Sequence, residues 1–198
     1  MISRRNIVLS LFAFIILGFA AAAYFMSRPE PVEIAKTPAN TALERPYSPR
    51  FGPDNAPVTV VEFFDPACEA CRAFHPIVKE ILATYPEDVR LVLRYTPFHN
   101  GSEDVVRILE AARLQGVFAP VLDAVLEAQP SWAAHGAPRL EKAWEAASSA
   151  GLDVVKAKQD ILMPDVTAII NQDKADVATA KVKGTPTFFV NGKPLPSF

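Results

Sequence analysis

Two cysteines occur in the 198 residues, Cys68 and Cys71, separated by Glu69 and Ala70. One helical turn or a tight turn spans that spacing, so both sulfurs can come within bonding distance, and any disulfide between them is local. Such a pair cannot staple distant parts of a fold as the bridges of small secreted scaffolds do. Three chemistries fit: two core thiols that are neighbours by chance, a soft two-thiolate site for Cu(I), or a pair that cycles between dithiol and disulfide.

Context separates these. Val58 to Phe64 is an apolar, β-branched run broken by Glu62, which predicts a buried strand, and Asp65-Pro66 ends it just before Cys68. A helix is expected from the cysteines to about Tyr85, with Phe74, Ile77, Val78, Ile81 and Leu82 at helical spacing and Pro76 kinking it. If Cys68 opens that helix, unpaired N–H groups and the positive dipole end stabilise its thiolate. Cys71, one turn on, is then placed to attack a mixed disulfide on Cys68 and release the substrate, so Cys68 is the nucleophile and Cys71 the resolving thiol. Glu62 is a carboxylate in an apolar strand, costly unless protonated, hydrated or paired. A raised pKa would suit it to exchange the proton of Cys71. The Glu69 carboxylate opposes a neighbouring thiolate, which points to an oxidant milder than the strongest ones.

The surrounding elements form a frame for this pair. Val89 to Tyr95 alternates as a second strand, giving a βαβ unit with the cysteines at the carboxyl edge of its first strand. A helical section of about 102–182 follows, in segments near 102–115, 118–128, 138–150 and 154–183, the last interrupted near Pro164. Ser102 is read as the cap of the first segment, and Gly116 and Gly151 as helix stops. Thr187 to Val190 returns to strand character, and Asn191-Gly192 is a type I′ hairpin signal. Only residues 193–198 follow, two of them prolines, so the C-terminus reads as shortened.

The head of the chain is different. Arg4 and Arg5 precede an uncharged stretch of 20 residues, Ile7 to Met26. As a helix it would be about 30 Å long, enough to cross a bilayer with the remainder outside the cytoplasm. Residues 1–28 are therefore expected to be a membrane anchor or a signal peptide, the small residues Ala20 to Ala23 offering a cleavage site. Pro29, Pro31, Pro38, Pro46, Pro49 and Pro53 make residues 29–53 read as an extended tether, leaving 54–198 as the folded domain. The composition is globular, 50% apolar and 21% charged, with a net charge of −2 and no Lys/Arg stripe, so no nucleic-acid partner is expected.

The run Val61-Glu62-Phe63-Phe64-Asp65-Pro66-Ala67-Cys68-Glu69-Ala70-Cys71, with Pro76 and the later Gly184-Thr185-Pro186-Thr187-Phe188-Phe189-Val190, resembles the thioredoxin superfamily. The inserted helices and Tyr95-Thr96-Pro97-Phe98-His99 make it most similar to the DsbA-like branch of bacterial periplasmic thiol oxidoreductases. The resemblance implies an α/β thioredoxin fold with a helical insertion between the βαβ unit and the C-terminal β-hairpin. It also implies Glu62 as the buried acid beneath the pair and a cis bond from Thr185 to Pro186. Thr185 and Pro186 would meet substrate, and Glu69 and Ala70 beside the thiols are assigned to the same surface.

The expected activity is thiol:disulfide exchange, in the oxidase or exchange direction, on reduced or misoxidised extracytoplasmic proteins. It needs no cofactor beyond the Cys68–Cys71 disulfide, and a membrane or soluble partner resets the pair. The expected location is the bacterial inner membrane, single-pass with a periplasmic domain, or the soluble periplasm after cleavage. The alternatives are a disulfide reductase or isomerase, and a Cu(I)-transfer module. No four-ligand zinc set emerges, since His75 follows Cys71 by four residues and His99 and His135 are remote in sequence.

Overall fold

In the computed structural model, which describes residues 38–134 and 136–196, five strands form one mixed sheet in the order β1-β3-β2-β4-β5. The βαβ unit is as expected. Strand β2 (Val58–Phe64) runs through Asp65-Pro66 into a helix at Glu69–Thr84, and β3 (Val89–Tyr95) lies parallel to β2, with Glu62 opposite Leu93. The helix continues through Pro76 as one element. Strand β4 (Thr187–Val190) is antiparallel to β2 and sets Phe188 against Glu62, and β5 (Lys193–Pro194) returns beside it. The Asn191-Gly192 turn joining them has the positive φ of 46° and 78° that a type I′ hairpin needs. Asn191 also accepts from Thr59 N at 2.8 Å, anchoring the hairpin to β2.

The domain begins earlier than residue 54. A short helix, α1 (Pro38–Leu43), and a strand, β1 (Arg50–Phe51), precede it, and β1 pairs antiparallel with β3. Residues 38–53 are thus part of the fold, a correction to the tether read from their prolines. Pro49 lacks a donor, but its carbonyl accepts from Leu93 N at 2.9 Å, so an edge strand tolerates it. Arg45 and Tyr47 add side-chain bonds to Asp176 and Asp173.

With the helix after β2 labelled α2, the insertion comprises α3 (Ser102–Leu114), α4 (Phe118–Glu127), α5 (Gln129–Trp132), α6 (Leu140–Ser149), α7 (Val154–Asp160) and α8 (Pro164–Thr179). The break before Pro164 falls where the sequence places it. The cap of α3 does not: Gly101 takes the N-cap position at φ 78°, and Ser102 is buried inside the first turn. The main core lies between α2, the insertion and one sheet face, uniting Phe64, Leu93, Tyr95 and Phe188 with Cys71, Val78, Leu109, Leu122 and Trp132. The opposite sheet face packs Val61, Phe63, Val92 and Phe189 against Leu43, Val177 and Val182.

Among the described residues no helix is long and apolar enough to cross a membrane. This corrects the transmembrane and signal-anchor expectation as far as those residues reach. The 1–28 segment on which it rested, like His135, lies outside them.

Candidate active site

Cys68 is the N-cap of α2, extended at φ −76° and ψ 120°, with no side chain capping the helix. Its sulfur lies at the N-terminal end of the helix, where the N–H groups of Ala70 and Cys71 favour its charged form. Across from it the cis Thr185-Pro186 bond leads into β4, and the Thr185 carbonyl lies 3.2 Å from the Cys68 sulfur as its hydrogen-bond acceptor. Both cysteines are free and buried in this structure. Cys71 sits one turn deeper, where Asp65 N donates to its sulfur at 3.5 Å.

The two thiols are strongly unequal. Cys68 is held down to about 5, first by a hydrogen bond from the Cys71 thiol and, against burial, by the Thr185 side chain and the N–H groups of Cys71 and Ala70. The same hydrogen bond, then burial, pushes Cys71 far above the ordinary thiol range, and the charge of Glu62 adds to it. Glu62 is 3% exposed on the sheet face that carries Val60 and Phe64. Burial, then the charge on Cys68, raises its carboxyl to about 8. Its proton is held in the middle of the working range.

Sequence reasoning passed over three residues that build this site. Asp65, fully buried, does more than end a strand. Its carboxylate accepts from Ala67 N at 2.9 Å, Ser102 Oγ at 2.5 Å, and the backbone N–H groups of Phe98 and His99. This is where the Ser102 hydroxyl goes instead of capping α3. His99 completes the ring with Nδ1 at 2.7 Å, and the Tyr95–His99 run was its signal in the sequence. The bond to Asp65 raises the His99 pKa, and charge on Cys68 and Glu69 adds to the shift. The third is Gln129, whose amide reaches the carbonyls of Pro66 and Cys68. No periodicity or motif distinguishes it from the helical block around it.

The fold thus brings together Cys68, Cys71, Glu62, Thr185 and Pro186. Glu69 and Ala70 are exposed at the start of α2, beside the thiols. His75 instead pairs with Asp123 on α4 at 2.6 Å, and Lys79 binds the same carboxylate. Among the described residues no group of three or more His, Cys, Asp or Glu side chains is placed to hold a metal ion.

The family model described as Thioredoxin matches residues 44–196. A solved thioredoxin-like oxidoreductase from Silicibacter pomeroyi is 32% identical, with a TM-score of 0.70 over 80% of this chain and 88% of that one. α-DsbA1 from Wolbachia pipientis is 20% identical with a TM-score of 0.69, covering 78% of this chain and 79% of that one, a likeness of fold. Among curated proteins, the Na(+)/H(+) antiporter NhaA of Herminiimonas arsenicoxydans is 34% identical over 157 residues, 77% of this chain and 24% of that protein. The chain spans about a quarter of the length of the curated relatives it matches.

Proposed function

The chain belongs to the thioredoxin family, and from that premise we propose that the protein exchanges disulfides with extracytoplasmic proteins, Cys68 attacking and Cys71 resolving. Its cysteine pair is the redox-active pair of a DsbA-type thiol–disulfide oxidoreductase domain. The observation that carries the proposed roles is the asymmetry of the thiols: Cys68 at the helix N-terminus with its charge stabilised, Cys71 buried with its proton held.

In the oxidising direction a client thiolate attacks the Cys68 sulfur of the Cys68–Cys71 disulfide. The S–S bond breaks, a client–Cys68 mixed disulfide forms, and Cys71 leaves as a thiolate that takes up a proton, with Glu62 as the donor. A second client thiolate attacks the client sulfur and releases Cys68 as the stabilised thiolate. The client loses two electrons and the pair gains them, so a redox partner must remove them before the next turnover. Read backwards, the same steps reduce a client, with Glu62 accepting the Cys71 proton. A thiolate held at about 5 stabilises the reduced pair and so favours the oxidising direction, while Glu69 moderates it. The Thr185 carbonyl lies 3.2 Å from the sulfur that bonds to the client, which supports a reading in which client backbone meets Thr185 and Pro186, with Glu69 and Ala70 at the edge of that surface. The work is assigned to the bacterial periplasm, where disulfides persist.

The test is turnover of a reduced dithiol peptide by the full chain with a glutathione redox buffer as oxidant. Turnover by wild type and its loss in Cys68→Ala support the assignment. Unchanged turnover in that variant rules out Cys68 as nucleophile. Stoichiometric Cu(I) binding without exchange would instead support metal transfer.

A further inference from the structure

Gln129, the first residue of α5, is 1% exposed and 61 positions from Cys68 in the chain, and its side chain bonds to the reactive turn and to Arg72 in the first turn of α2. Nε2 donates to Pro66 O at 2.7 Å and to Cys68 O at 2.9 Å, and Oε1 accepts from Arg72 Nε at 3.0 Å. The amide uses both donors and one acceptor site, close to its full capacity. We propose that Gln129 is a positioning residue through which the inserted helical block sets the reactivity of Cys68.

The geometry gives the reason. The turn from Asp65 to Cys68 has its N–H groups tied locally, Ala67 N to the Asp65 carboxylate and Cys68 N to Asp65 O. Two of its carbonyls are also reached from outside. Pro66 O is taken by Gln129, and Cys68 O is shared between Gln129 and Arg72 N, the first bond of α2. The orientation of that first turn decides how well the N–H groups of Ala70 and Cys71 meet the Cys68 sulfur. Gln129 fixes the plane of the Cys68 carbonyl and, through Arg72, the side of α2 that follows. Its N–H dipoles also offset the negative end of a carbonyl lying next to the thiolate. Losing this clamp frees the first turn and leaves buried carbonyls short of donors, with consequences for the thiolate as well as for packing.

The inference rests on the reading of Cys68 as the attacking thiol, and one experiment separates the two. The equilibrium of the full chain with reduced and oxidised glutathione is measured for wild type, Gln129→Met, Gln129→Glu and Val121→Ala, alongside thermal melts. Gln129→Met keeps the volume and removes the donors. The expected result is a shift of about three- to tenfold toward the disulfide form, equivalent to about 15 to 30 mV in the less oxidising direction. Gln129→Glu aims a carboxylate at two carbonyl oxygens and is expected to shift further the same way; it carries the test if the methionine variant does not fold. Val121→Ala opens a cavity in α4 of the same block and is expected to lower the melting temperature without moving the equilibrium. Glutathione equilibria of both Gln129 variants equal to wild type would overturn the inference, leaving Gln129 as packing. If wild type itself forms no disulfide with glutathione, the functional reading falls, and this inference with it.

Discussion

His99 Nδ1 lies 2.7 Å from the buried carboxylate of Asp65, joining the loop after β3 to the turn that presents Cys68. The His99 side chain is 39% exposed, and the groups acting on it are Asp65, Cys68 and Glu69. Its folded pKa is raised, so the stability it contributes is fully present below the unfolded value of about 6.5 and is lost as pH rises through the folded value. His99→Gln should therefore cost more stability at pH 6 than at pH 9, as read by urea denaturation at both pH values. An equal cost at the two would show that the imidazolium plays no part.

Glu62 shows the same pH sense for a different reason, since folding holds it neutral rather than charged. Its folded pKa of about 8 lies above the ordinary carboxyl value of 4.5, so between those pH values the unfolded chain is ionised while the folded one stays protonated. Stability falls as pH rises through that window, by roughly 5 kcal/mol in total at the order-of-magnitude level. Glu62→Gln removes the penalty. The variant should gain stability over wild type steadily from pH 5 to pH 8, while peptide oxidation slows by about 10²-fold as the proton donor to Cys71 is lost. A stability difference independent of pH, with unchanged turnover, would make Glu62 a bystander.

Arg94 is fully buried on β3, with Nη2 2.7 Å from both Asp173 and Asp176 and Nη1 donating to the Ala42 carbonyl. One guanidinium thereby joins α1, β3 and α8. Arg94→Met should destabilise the domain by about 3–5 kcal/mol, because two carboxylates remain buried without it. Adding Asp173→Asn and Asp176→Asn should recover a substantial part of that loss in denaturant titrations. No recovery would mean that shape, not charge, holds the junction.

The elements nearest the cysteines were legible because their signals are local. A β-branched run into Asp65-Pro66, a helical stripe after Cys68, and Asn191-Gly192 each specify a backbone path within a few residues. The prolines of 38–53 misled because proline excludes helix interiors and central strands but not an edge strand beside β3, and nothing local announces that Arg45 and Tyr47 bond to Asp176 and Asp173. Asp65 and Ser102 read as a strand end and a helix cap, roles common for those residue types, while in the fold they bond to each other across 37 positions. Gln129 was illegible for the same reason. A polar residue in a helical segment reads as solvated until the fold buries it against the Pro66 and Cys68 carbonyls. Glu62 was legible from the residues themselves, as an isolated acid in an apolar strand, whereas the role of the Thr185-Pro186 pair came only from a Gly-Thr-Pro before another strand matching a family pattern.

The division of labour between the two thiols is tested most directly by alkylation of the reduced full chain across pH 3 to 10, with the modified residue located by peptide mass. The expected result is a single adduct on Cys68, its rate rising with a midpoint near pH 5, and Cys71 untouched in the folded protein. Adducts forming first on Cys71, or a Cys68 midpoint in the ordinary thiol range of about 8 to 9, would contradict the account.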